Sequence, residues 1–150
     1  MGICINGRYN GKSSPYSLAM GYGTFFLLRK QVASHLCKEF FEHYSLMVDA
    51  IFSYSDKEKE EYNQKTMEII ERNELDKKKY QEKILDFLYA PDCEGSISYG
   101  TCRRIYELIK DDPDELRFGY AGWGKDCSTM GDFKNLLADV AKNKGKVTWS

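Results

Sequence analysis

Hydrophobic and polar positions change period near residue 23. Before it, Ile3 and Ile5 alternate with Cys4, Asn-Gly pairs stand at positions 6–7 and 10–11, and an extended pattern resumes around residues 16–20. This pattern predicts a β-hairpin with a loose loop. Beyond it, apolar residues recur at spacings of three, four or seven, which predicts one long amphipathic helix. These residues are Phe26, Ala33, Cys37, Phe40, Tyr44, Met47 and Ile51.

A capping box predicts the start of the next helix, because Ser55 precedes Glu58 by three positions. The segment 56–83 is mostly charged and has a narrow apolar line, so we expect it to be largely solvated. Asp76 is a candidate N-cap for a further helix, with Leu75 and Tyr80 as a hydrophobic staple. We therefore predict a charged helical hairpin that ends at Pro91.

The last part of the chain predicts more helices and one strand. A turn-rich loop precedes a helix that carries Ile105 and Ile109, and the Asp112-Pro113 pair favours a short helical turn. Thr129 and Asp132 form a second capping box, before a helix that extends to about Asn143. The residues "KVTW" then form a closing strand. The expected fold class is α+β, mainly helical, with a small antiparallel sheet, in a single domain covering 1–150.

Composition narrows the functional classes. The hydrophobic fraction of 42% predicts a folded core, and the formal net charge of −1 argues against a non-specific nucleic-acid binder. An odd number of cysteines, five, without a leader peptide favours free thiols and a cytoplasmic protein. No apolar run reaches the roughly 18 residues of a membrane span, so we expect no membrane partner.

The stretch "RFGYAGWGKD", residues 117–126, is the first candidate contact surface. Its glycines surround aromatic side chains, which are favoured both in cores and in interfaces. We assign Phe118 to the core and Tyr120 and Trp123 to contact with a partner. A protein that acts by binding another protein is the leading hypothesis.

A second hypothesis places a small-molecule site elsewhere. Basic and aromatic residues could together form a pocket for a nucleotide-like signal, which the protein would sequester. The residues proposed for it are Arg8, Tyr9, Arg103, Arg104 and Trp123.

The residues that could support catalysis or metal binding are few. Cys127 lies ahead of a predicted helix with Lys125 nearby, which makes a cysteine-dependent enzyme the third hypothesis. His35, Glu39 and His43 share one face of the predicted long helix, a pattern that a solvent-facing stripe also explains. A calcium loop around Gly95 would place Ala90 and Thr101 where carboxylates are required. We expect no metal and no cofactor.

Three stretches resemble small uncharacterised proteins of bacteriophages and prophages of Gram-positive bacteria. They are "GICINGRYNG" with "GYGTFFLLRKQVA", then "GSISYGTCRRIYELIKD", and last "GYAGWGKDCSTMGDFKNLLADV". The resemblance implies a protein made in the cytoplasm of a bacterial host, and it assigns no activity. It favours a non-enzymatic protein that inhibits a host protein or defence component, and it leaves the oligomeric state open.

Overall fold

The computed structural model describes residues 2–47, 55–77, 81–118 and 129–150, with the side chains of 81 and 82 excepted. Within these ranges it has five strands and six helices, which confirms the α+β, mainly helical prediction. The strands are β1 (Gly2–Tyr9), β2 (Lys12–Ser13), β3 (Leu18–Gly21), β4 (Gly95–Ser98) and β5 (Lys146–Trp149). The helices are α1 (Tyr22–Ala33), α2 (Lys38–Ser45), α3 (Asp56–Arg72), α4 (Gln81–Tyr89), α5 (Tyr99–Ile109) and α6 (Met130–Lys142).

The strands form one antiparallel sheet with β1 and β5 at its centre. β2 and β3 both pair with β1 on one side, and β5 lies between β1 and β4 on the other. The strands of the predicted hairpin are confirmed, but its loop is tighter than the loose loop that we expected. Asn10 and Gly11, at φ of 53° and 71°, form a two-residue turn, and the other Asn-Gly pair, at 6–7, lies inside β1. The closing strand is also confirmed, whereas β4 lies in a segment that we predicted to be a loop.

One face of the sheet packs against helices and the other is exposed to solvent. Ile3 and Ile5 of β1 and Val147 and Trp149 of β5 are buried, while their strand neighbours such as Cys4 are exposed. This alternation is what a two-layer fold requires, because successive side chains of a strand point to opposite faces. The exposed face carries mainly small polar and basic side chains.

The predicted long helix is wrong in one respect, because the structure divides it into α1 and α2. Ser34, His35 and Leu36 form a turn, and Cys37 has an extended backbone with φ of −165°. Its Sγ accepts a hydrogen bond of 3.4 Å from the Phe40 amide, so Cys37 caps α2. The apolar spacing continues through the break, because Ala33, Cys37 and Phe40 stand three or four positions apart although Cys37 is not helical. The rest of the predicted long helix, from residue 48 to Ile51, lies outside the described ranges.

Both predicted capping boxes are present. Ser55 and Glu58 exchange hydrogen bonds at the start of α3, and Thr129 and Asp132 do so at the start of α6. These reciprocal bonds satisfy amide groups that no helical carbonyl can reach, so both helices begin where the sequence indicates.

The other predicted helix boundaries are less accurate. Residues 73–77 form turns in which Leu75 is buried, and the next helix is described only from Gln81. The predicted cap at Asp76 therefore lies in a turn, and Tyr80 lies outside the described residues. The predicted helical turn after Pro113 is a simple turn, in which the Leu116 amide donates to the Pro113 carbonyl at 3.2 Å. Pro113 thus begins a turn but no helix.

Trp149 connects the sheet to the segment that follows α4. Its ring is 2% exposed, and its Nε1 donates a 2.9 Å hydrogen bond to the Pro91 carbonyl. A Cβ built on Gly95, its cross-strand partner, would come within 3.0 Å of three atoms of the Trp149 ring. Buried Arg29 donates to the Ala90 carbonyl at 2.8 Å and lies 5.7 Å from the indole centroid. These contacts hold β4 beside β5.

Candidate functional site

A groove lies at the end of the sheet where β1 ends, β5 begins and β4 leads into α5. Its volume is about 470 Å³, within the range of small-molecule sites. Three chain segments line it. The lining residues are Arg8, Tyr9, Ser96, Ile97, Ser98, Tyr99, Lys144, Gly145 and Lys146.

The strand register places two cationic side chains directly opposite each other. Arg8 of β1 pairs with Lys146 of β5, and Lys146 pairs in turn with Ser98 of β4. Facing residues in an antiparallel sheet have Cβ atoms about 5 Å apart, and like charges in that arrangement are destabilising. The register thus places Arg8 and Lys146 side by side, so that one anion in the groove can reach both.

The cations of the groove have no acidic counterpart. None of the described residues that line the groove is acidic, and among them Arg8, Lys144 and Lys146 form no ion pair with a described carboxylate. All three side chains belong to exposed residues. Positive charge is thus concentrated at one place in a chain whose formal net charge is −1.

The Tyr9 side chain is held in place by α6. Its hydroxyl donates a 2.9 Å hydrogen bond to Asp139 Oδ2, and the Ser14 hydroxyl donates to the same oxygen at 2.6 Å. The hydrogen bond to Asp139 raises the pKa of Tyr9, because it stabilises the protonated phenol beside a carboxylate. Asn143 Nδ2 donates to the other carboxylate oxygen at 3.2 Å. One wall of the groove is therefore fixed before any ligand binds.

The opposite wall is the start of α5. Ser98 caps this helix by accepting a hydrogen bond from the Thr101 amide, and no acidic residue occupies the first turn. The partial positive charge of the helix N-terminus therefore stays uncompensated beside the groove. Tyr99 is 39% exposed, and its hydroxyl has no hydrogen-bond partner among the described residues.

The predicted pocket is reproduced only in part. Arg8 and Tyr9 line the groove, but Arg103 and Arg104 lie further along α5 and do not. Arg103 is exposed and Arg104 is half-buried. Trp123 lies outside the described residues, as does Tyr120 of the predicted contact loop. Phe118 is described and is 5% exposed, as expected of a core residue.

The sequence prediction missed most of the lining residues. Ser96, Ser98 and Tyr99 lie in the segment interpreted as a loop, Lys144 precedes the predicted closing strand, and Lys146 is the first residue of that strand. A local signal was present, since three lysines occur between residues 142 and 146. Only the pairing of β5 with both β1 and β4 brings them to Arg8.

The residues suggested for metal binding do not share one helix face, because the break between α1 and α2 separates His35 from Glu39 and His43. His35 Nε2 lies 2.8 Å from Asp112 Oδ2, and Glu39 pairs with Arg72 of α3. His43 is buried, which also overturns the solvent-facing stripe. In the described part of the chain, no three His, Cys, Asp or Glu side chains could hold a metal ion.

His43 joins α2 to α3. The Thr66 hydroxyl donates to the Tyr62 carbonyl at 2.9 Å and therefore accepts from His43 Nε2, 2.6 Å away. The imidazole stacks on Tyr62 with centroids 4.0 Å apart, and its Nδ1 is buried with no partner. Burial and the charge of Lys65 lower the pKa of His43, so its neutral form is the folded one.

The structure describes four of the five thiols. Cys4, Cys37, Cys93 and Cys102 are free, as expected. Burial raises the pKa of Cys102 to about 12, which makes it a structural rather than a nucleophilic thiol. Cys127, the candidate nucleophile, lies outside the described residues.

Two further findings bear on function. None of the described helices combines the length and apolarity needed to cross a membrane. Comparison of the chain with protein-family models, with curated proteins and with solved structures found no match.

Proposed function

We propose that this protein is a non-enzymatic binding protein whose groove takes a phosphate-bearing small molecule. The observation that carries the proposal is the row formed by Arg8, Lys146 and Ser98, with Lys144 beside it and no acidic residue in the lining. Arginine and lysine are the residues that most often bind phosphate oxygens in proteins, and the serine hydroxyl adds a further donor.

The site suits a small-molecule ligand better than it suits the extended surface of a protein partner. The cations converge within one groove of about 470 Å³, and the rest of the exposed sheet face carries small, mostly uncharged side chains. The protein would hold its ligand and thereby remove it from solution. As the phage resemblance implies, we place this activity in the cytoplasm of a bacterial host.

The protein-partner hypothesis remains a prediction. It assigns contact with a host protein or defence component to Tyr120 and Trp123, which lie outside the described residues. The two hypotheses can be separated experimentally, because replacing both aromatic residues by alanine should leave phosphate binding in the groove unchanged.

Titration calorimetry with inorganic pyrophosphate tests the proposal. Wild-type protein should bind it, and Arg8→Ala or Lys146→Ala should each weaken binding by about tenfold, the value of one charge-assisted hydrogen bond. Lys59→Ala is the matched control, since it removes the same charge from an exposed position on α3.

Raising the salt concentration should weaken binding in the wild type more than in either groove variant. Absence of binding at millimolar pyrophosphate would refute the proposal. Equal weakening by Lys59→Ala would refute it too, because the effect would then reflect net charge alone.

A further inference from the structure

The Tyr99 side chain is partly exposed beside the groove. It occupies the first position of α5, is 39% exposed, and forms no hydrogen bond through its hydroxyl with the described residues. Tyr9, the other aromatic residue of the groove, is engaged by Asp139 instead. The exposed part of the Tyr99 ring therefore offers an aromatic surface to a ligand in the groove.

The position of Tyr99 relative to the cations is defined by the sheet. Ser98 is the cross-strand neighbour of Lys146, which is the neighbour of Arg8, and Tyr99 directly follows Ser98. The ring thus lies one residue beyond the cation row, at the border of the same groove. A ligand with phosphate at one end and a planar ring at the other would contact both.

We infer that the ligand of the groove is a nucleoside phosphate, with its phosphates on Arg8 and Lys146 and its base stacked on Tyr99. This inference rests on the proposed function and adds the class of ligand to it. Aromatic side chains stack on every base, because each base has a π-face. Stacking therefore adds affinity that inorganic phosphates cannot obtain.

The lining also indicates how selective the site is. On the β4 side of the groove, the polar side chains next to Tyr99 in sequence are the hydroxyls of Ser96 and Ser98. Among the described residues, no asparagine, glutamine or carboxylate lines the groove. Recognition of a particular base needs paired donors and acceptors at its edge, which these hydroxyls do not supply. The site should therefore accept purine and pyrimidine nucleotides alike.

The test compares pyrophosphate with ADP and UDP on wild-type protein, Tyr99→Ala and Tyr99→Phe. Wild-type protein should bind both nucleotides about tenfold more tightly than pyrophosphate, and the two nucleotides within about threefold of each other. Tyr99→Ala should weaken nucleotide binding much more than pyrophosphate binding and so remove this advantage, and Tyr99→Phe should keep it. Tyr16→Ala, which truncates a ring that is 45% exposed outside the groove, is the control.

The possible outcomes distinguish the nucleotide inference from the proposal of phosphate binding on which it rests. If ADP and pyrophosphate bind wild-type protein equally well and with the same dependence on Arg8, the nucleotide inference fails while the phosphate proposal stands. Equal weakening of ADP and pyrophosphate binding by Tyr99→Ala also overturns the inference, because it would show a structural role. If none of the three probes binds, both fail.

Discussion

Replacing Gly95 by alanine should destabilise the protein strongly, because the new methyl group would overlap the indole of Trp149. The indole cannot move aside cheaply, since it is 2% exposed and donates a hydrogen bond to the Pro91 carbonyl. Overpacking of this kind costs about 1–3 kcal/mol, and loss of the hydrogen bond adds about 1 kcal/mol. We expect a total of about 3 kcal/mol.

Thermal unfolding followed by circular dichroism measures this effect. For a chain of this size, about 3 kcal/mol corresponds to a fall in Tm of roughly 6–12 °C. Gly23→Ala is the matched control, because a Cβ at that position of α1 meets nothing within 4 Å. Alanine is favoured over glycine in a helix by about 0.5–1 kcal/mol, so this variant should melt slightly higher. A Gly95→Ala protein that melts like the wild type would refute the packing argument.

Two other predictions concern titratable groups. Because the folded protein lowers the pKa of His43, its contribution to stability is full above about pH 6.5 and is lost as pH falls further. Between pH 7.0 and 5.5, the free energy of unfolding measured in urea should fall by up to about 1.4 kcal/mol per pH unit. His43→Gln should flatten this slope. Equal slopes in the wild type and the variant would contradict the role of His43. Iodoacetamide at pH 8 should alkylate exposed Cys4 and Cys93 in the folded protein but Cys102 only after unfolding, as peptide mass spectrometry will show. Rapid labelling of Cys102 would contradict its burial.

Local signals in the sequence predicted much of the fold. The capping boxes at Ser55 and Thr129 and the turn at Asn10-Gly11 succeeded because each depends on residues within four positions of one another. The break between α1 and α2 was missed because Cys37, an unusual cap, keeps the helical spacing of the apolar residues. β4 was missed because Ile97 is its single buried residue.

The groove was less predictable than the fold for a physical reason. Arg8 and Tyr9 stood out because basic and aromatic residues are adjacent in one loop, but Lys146 carries no local sign of being near them. Its position depends on β5 pairing with β1, a contact between opposite parts of the chain. Hydrophobic periodicity reports which side of a strand is buried, but it does not report which strands are neighbours.

The central position of β5 also affects how the chain can fold during its synthesis. β1 emerges from the ribosome early, but its long-range partner spans Lys146–Trp149 and is made after every helix. Until then β1 and β4 each present a strand edge that β5 later covers, and open edges promote pairing between chains. Closing so long a loop is also slow, because most of the chain must be ordered at once. We therefore expect a chain truncated before β5 to aggregate more readily than the full sequence, because the edges of β1 and β4 stay open.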